Sequence, residues 1–200
     1  MDKPSELLLR SVLHDLANVL AGIQGVLELN PPGAPLSQRD RERCEAVLAE
    51  GNAVLERARH LAMGTLPERA LEPGQDWRDQ LRLELAPLGA LFRCRLELVP
   101  EAAPELDQWP GPLLRGYARA VTRLVLPYAR GGVLTLRLGA EPSEWVLRWG
   151  PPAPAPEDLR QGLEDRPGDT CGRWAERVGS ALGAVLGACE GALEARIPRR

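Results

Sequence analysis

Between Leu9 and Val26, the apolar residues Leu9, Val12, Leu16, Val19, Ile23 and Val26 fall at alternating steps of three and four. That spacing predicts a helix over residues 5–29 that buries one seam. Leu8, Leu13, Leu20 and Leu27 widen the seam on one side. Ser5, after Pro4, can cap the start, and "NPPGAP" (Asn30–Pro35) ends the helix, because two prolines and a glycine cannot continue it. A second helix is predicted over 37–63, with Ser37 and Asp40 as a capping box that uses Asp in place of Glu or Gln. Its seam is Cys44, Val47, Gly51, Val54, Ala58 and Leu61. Two long helices with a short connection make an antiparallel hairpin. One hairpin cannot enclose so wide an apolar surface, so a homodimer with a four-helix bundle is expected.

The pattern changes after "GTLPERALEPGQ" (Gly64–Gln75), a linker by composition. "DWRDQLRLELAPLGALF" reads as helix and "RCRLELVP" as strand. "GPLLRGYARAVTRLVLPYA" reads as helix, and "GGVLTLRL" and "EWVLRW" as a strand hairpin through "GAEPS". "GPPAPAPEDLRQGLEDRPGDT" reads as a Pro-rich loop with one helical turn, "GRWAERVGSALGAVLGA" as helix and "GALEARIP" as a last strand. The expected class is α+β: a helical hairpin domain over 1–66, then an α/β sandwich over 76–200 with helices on one sheet face.

Composition narrows the function classes. Hydrophobic residues make up 44% and charged residues 26% of the 200 residues, an ordinary globular balance. The net charge of −3, with no basic stripe, speaks against nucleic acid as a partner. Lys3 is the only lysine and precedes Pro4, which excludes a Walker phosphate loop. Cys44, Cys94, Cys171 and Cys189 form no CxxC pair, and with only two histidines no metal site is expected. No basic region leads into an apolar stretch at the N-terminus, and no run has the ~18 apolar residues of a membrane span. The expectation is a cytoplasmic chain with free thiols and no membrane partner.

Candidate chemistry sits in "SVLHDLANVLAGIQGVLELN" (Ser11–Asn30). Helical neighbours advance by about 100°, so His14, two positions from both Val12 and Leu16, points away from the seam. It shares a face with Arg10, Ala17, Asn18, Ala21 and Gly25. Ala17, Ala21, Gly22 and Gly25 would leave a flat strip beside the imidazole where a bulky partner could approach. An exposed imidazole is a nucleophile at one ring nitrogen when the other is held as a donor. Asp15 could orient the ring or move its proton, and Asn18 could bond a phosphoryl oxygen or place a water. A surface histidine without a role is the competing reading, and His60, near a helix C-terminus where it suits the dipole, has that reading.

"LHDLANVLAGIQGVLEL" resembles the phosphoacceptor helix of two-component sensor histidine kinases and bacterial histidine phosphotransferases: a His, an acidic residue next, and Asn or Thr four positions after the His. His14, Asp15 and Asn18 match, while Val19 stands where many kinases have Pro. The resemblance implies His14 as phosphoacceptor, with Asp15 and Asn18 as catalytic partners and Arg10, Ala17, Ala21 and Gly25 as the docking strip. The rest of the chain resembles, in order, the kinase ATP-binding domain, but in degenerate form. The helix that carries Asn in the family has Arg123 and Pro127 at the equivalent places and no Asn from Leu113 to Gly132. Arg148 or Trp149 replaces the Asp that reads adenine, Pro152 replaces a Gly, and "GDTCGRW" is all that is left of the lid. Arg cannot accept the hydrogen bond an adenine amine donates, and Mg²⁺ needs oxygen ligands.

The resemblance therefore implies a histidine phosphotransferase that passes a phosphoryl group between response-regulator receiver domains, or from a hybrid histidine kinase. It implies no cofactor of its own, Mg²⁺ being supplied by the receiver. The alternatives are a non-catalytic, pseudokinase-like dimeric scaffold that binds a receiver or kinase, and an active ATP-dependent kinase.

Overall fold

The computed structural model describes residues 3–30, 33, 35–63, 65–66, 77–100, 111–150, 154–164 and 170–199, without the side chains of 3–8, 10–11, 77, 111–112, 160 and 162–164. Most of the proposed linker over 64–75 lies outside the described residues, as do Pro152 and the start of "GDTCGRW".

Helix α1 (Lys3–Glu28) and helix α2 (Gln38–Met63) form the expected hairpin. Ser37 Oγ accepts from the Asp40 backbone N–H at 3.1 Å, the N-cap half of a capping box, and donates to the Asp40 carboxylate at 2.6 Å, so the carboxylate meets the Ser37 hydroxyl rather than its backbone N–H. The seams meet through small residues. A Cβ on Gly22 would lie 3.2 Å from Val47, and one on Gly51 would lie 3.1 Å from Val19. Position rises on α1 as it falls on α2, so the helices run antiparallel. Gly22 is thus not part of an open strip beside His14; its missing side chain lets α2 approach α1.

A five-stranded mixed sheet follows, in which the first three strands of the chain are neighbours in order and the fifth lies between the third and the fourth. Helix α3 (Trp77–Phe92) leads to β1 (Arg95–Pro100), and helix α4 (Gly111–Val125) crosses to β2 (Val133–Ala140), parallel to β1. At Pro127, which has no N–H to give, α4 passes into a single 3-10 turn, Leu126–Ala129. β3 (Glu144–Gly150) and β5 (Ala192–Pro198) continue the sheet antiparallel.

Two expectations are corrected here. The Pro-rich loop contains a nine-residue helix, α5 (Pro156–Glu164), rather than one turn; Pro156 occupies its first position, where no N–H is needed. Helix α6 spans Thr170–Leu182 and does not run on to Ala188. Gly183 adopts φ 71°, and Ala184 N–H bonds back to the Gly179 carbonyl at 2.8 Å, a glycine stop that the helical pattern ran through. The residues beyond form β4 (Val185–Cys189), joined to β5 by a two-residue turn with positive φ at Glu190 and Gly191.

The period of two along the strands sorts the sheet faces. Leu134, Leu136 and Leu138 on β2, Trp145, Leu147 and Trp149 on β3, and Leu193, Ala195 and Ile197 on β5 are buried with apolar residues of α3, α4 and α6. The opposite face carries a charge ladder in which Arg148 Nε donates to Glu194 at 2.5 Å and Arg196 Nε to the same carboxylate at 2.6 Å. Leu61 and Leu66, at the end of the hairpin, pack against the core under the sheet, and α2 lies against α3 and α6.

Candidate functional site

His14 is exposed on α1, as are Ala17, Asn18 and Ala21 along the same face. Gly25 continues the strip, with nothing within 4 Å of where its Cβ would be. The side chain of Arg10, the remaining member of the docking strip, lies outside the described residues. The helical period put these residues on one face, and α2 packs on the other.

Asn18, one turn on, places its amide 3.4 Å from His14 Nδ1. Asp15 is engaged elsewhere: its carboxylate accepts from Thr170 Oγ1 at 2.7 Å. Thr170 is fully buried and is the first residue of α6. A carboxylate there also meets the positive end of that helix. Of the two neighbours, Asn18 therefore contacts the imidazole, and Asp15 ties α1 to α6.

His60 is partly buried. Its Nδ1 lies 2.9 Å from Thr65 Oγ1, and its ring sits 5.4 Å from that of Trp174, tilted by 31°. It is a packing residue between the hairpin and α6.

A second polar centre has no counterpart in the sequence expectations. Glu50, on the seam side of α2, is 3% exposed. Its carboxylate accepts from Arg57 at 2.9 Å, Arg119 at 2.9 Å and Arg123 at 2.8 Å. Burial pushes the Glu50 carboxyl up, but Arg57, Arg123 and Arg119 together outweigh it and hold the group below the ordinary carboxylate range. Arg119 also donates to the Glu84 carbonyl at 2.6 Å, and Arg115 donates to the Glu84 carboxylate at 3.0 Å. Arg115, Arg119 and Arg123 recur every fourth residue on α4 and so share a face. That spacing is the one sequence signal that could have exposed the cluster. The apolar period of α2 concealed its partner, because Glu50 neighbours the seam residue Gly51.

Trp149 is fully buried and donates from its indole nitrogen to Thr122 Oγ1 on α4 at 2.8 Å, and Arg148 is turned to the far sheet face with Glu194. Among the described residues, no three His, Cys, Asp or Glu side chains are grouped to hold a metal ion, and the four cysteines are free thiols. No helix of the described residues is long and apolar enough to cross a membrane. A cleft of about 710 Å³ runs beside the His14 face, lined by Asp15, Asn18, Arg39, Arg43, Glu50 and Arg123 among others.

No protein-family model matches the sequence, and no curated protein matches it. Solved structures do. The histidine kinase AdeS of Acinetobacter baumannii superposes with a TM-score of 0.51 at 14% identity, over 92% of this chain and 97% of that one. Full-length ShkA, crystallised in complex with AMPPNP, superposes with a TM-score of 0.52 at 17% identity, over 98% of this chain and 46% of its own length. The chain thus shares its fold with solved histidine kinase domains.

Proposed function

We propose that the protein is a histidine phosphotransferase that relays a phosphoryl group between receiver domains through His14, without binding ATP itself. The observation that carries this reading is the exposed His14 on a helix of kinase-like placement, with Asn18 against Nδ1 and a strip of small residues beside the ring. The reactive tautomer has its proton on Nδ1, with the Asn18 amide turned to present its oxygen; the Nε2 lone pair then faces outward. Nε2 attacks the phosphorus of a receiver's aspartyl phosphate, the N–P bond forms, and the aspartate carboxylate leaves with the electron pair of the broken O–P bond. The return transfer is the reverse. The receiver brings Mg²⁺, so the carrier supplies the nucleophile and its position.

The reading without ATP is supported by what occupies α4 and β3. Arg119 and Arg123 are committed to Glu50, and Trp149 fills the core. Homodimerisation belongs to the same reading: Leu13, Leu20 and Leu27 on α1 and Leu48 and Leu55 on α2 recur every seventh residue and are each more than half exposed. A second hairpin would cover both rows, placing two copies of His14 on one bundle.

The non-catalytic scaffold is the second reading, favoured by the bond that commits Asp15 to Thr170. One assay separates the two. Phosphorylated receiver domains are incubated with the protein and acid-labile label is sought on His14. Transfer to wild type and not to His14→Ala supports the relay; binding of a receiver without label supports the scaffold.

A further inference from the structure

Asp15 sits next to His14 on α1, and a side chain from outside the hairpin holds it. Thr170 Oγ1 donates to the Asp15 carboxylate at 2.7 Å, and Thr170, at the head of α6, is fully buried. A buried hydroxyl needs a partner, which favours the bond. The positive end of α6 draws on the same carboxylate. The imidazole is left to Asn18, whose amide lies 3.4 Å from Nδ1. Neighbouring helix positions leave the axis about 100° apart. The cleft of about 710 Å³ lined by Asp15 and Asn18 gives a released carboxylate room to turn toward the ring. The α/β unit thus decides which polar group His14 has beside it.

On the relay reading, on which this inference rests, we propose that Thr170 is a positioning residue: by holding Asp15 at the head of α6 it keeps a full negative charge off the His14 ring, and so keeps a phosphoryl group on Nε2 until a receiver takes it. A carrier has to outlast the interval between two partners, and its competing reaction is hydrolysis. In that step a water oxygen attacks phosphorus, the N–P bond breaks with its electron pair returning to Nε2, and the water's proton leaves with the inorganic phosphate. Imidazole departs readily only when Nδ1 carries a proton, the reason such a label is lost in acid. A carboxylate beside Nδ1–H holds that proton in a charge-assisted hydrogen bond, about twice as strong as the neutral one that the Asn18 oxygen offers. Thr170 withholds the carboxylate and leaves the ring its weaker partner. The same contact gives the α/β unit a use at His14 that needs no nucleotide.

The test is the lifetime of phospho-His14 in the full chain. Label is placed on His14 in two ways, by a phosphorylated receiver and by phosphoramidate, a small-molecule phosphoryl donor to histidine. The donor is removed, Mg²⁺ is chelated, and loss of label at fixed neutral pH is followed by mass spectrometry of the His14 peptide under alkaline conditions. Thr170→Val removes the hydroxyl at nearly constant volume and should shorten the half-life about fivefold. Thr170→Ser retains the hydroxyl and should keep the wild-type value. Thr170→Val combined with Asp15→Asn lacks both the bond and the charge, and should hold the label as long as wild type. A loosened α6 alone would leave this double variant as short-lived as Thr170→Val. Asp15→Glu carries the charge one methylene past the hydroxyl without altering a fully buried residue, and should also shorten the half-life. A wild-type half-life in Thr170→Val, or in Asp15→Glu where Thr170→Val does not fold, overturns the proposal, as does a double variant that loses label as fast as the single one. Receivers that label His14 with a half-life indifferent to Thr170 leave the relay standing and refute this role. Label from phosphoramidate but from no receiver, with a half-life set by Thr170, removes the relay and keeps the role. No label on His14 from either source overturns both.

Discussion

Thr170 and Asp15, 155 positions apart, are joined by a 2.7 Å hydrogen bond that fixes the start of α6 to the turn of α1 carrying His14. Removing the hydroxyl leaves a half-buried carboxylate without that donor. Thr170→Val should lower stability by about 1–3 kcal/mol, read as a drop in urea midpoint at unchanged slope. Asp15→Asn keeps a group that can accept from Thr170 and should lose less. A larger loss in Asp15→Asn than in Thr170→Val would show that the carboxylate's charge at the helix end, rather than the bond, carries the effect.

His14→Ala should abolish acid-labile labelling by a phosphorylated receiver and change stability by less than about 0.5 kcal/mol, because the side chain is exposed and leaves no cavity. Ala21→Trp should block receiver docking while the nucleophile is intact. His60→Ala should transfer normally yet unfold more easily than His14→Ala, since it loses the stack on Trp174. Label retained by His14→Ala would sink the relay.

Glu50 sets an acid limit. Its folded pKa lies below the ordinary value, so its contribution is present above the unfolded carboxyl pKa of about 4.3 and is lost as pH falls through the folded pKa. Glu50→Gln leaves Arg57, Arg119 and Arg123 without their anion and should cost about 3 kcal/mol near neutral pH. The gap between wild type and variant, measured by urea unfolding, should narrow below about pH 4. A gap independent of pH would mean that packing, not charge, is lost.

The exposed leucine rows predict self-association. Sedimentation of the full chain should give a dimer, and Leu20→Lys with Leu55→Lys a folded monomer, since neither side chain belongs to the core of one chain. A wild type that stays monomeric at micromolar concentration contradicts the dimer.

The helical period and strand alternation were legible in the sequence because both follow from local chain geometry. They located the hairpin, the four strands nearest apolar runs, and the outward aspect of His14, whose exposure depends only on its angle from the seam. The stop at Gly183 was harder to read, since "GSALGAVLGA" suits a helix until β5 offers an edge for β4 to pair with. The partners of Asp15 and Glu50 were not legible at all. Arg119 and Arg123 lie 69 and 73 positions from Glu50, and no period along the chain links them. Only the packing of α2 on the α/β unit brings these charges into a space dry enough for each to need the other, so tertiary structure alone decided that Asp15 would serve as a tie to α6 and Glu50 as the centre of an arginine cluster.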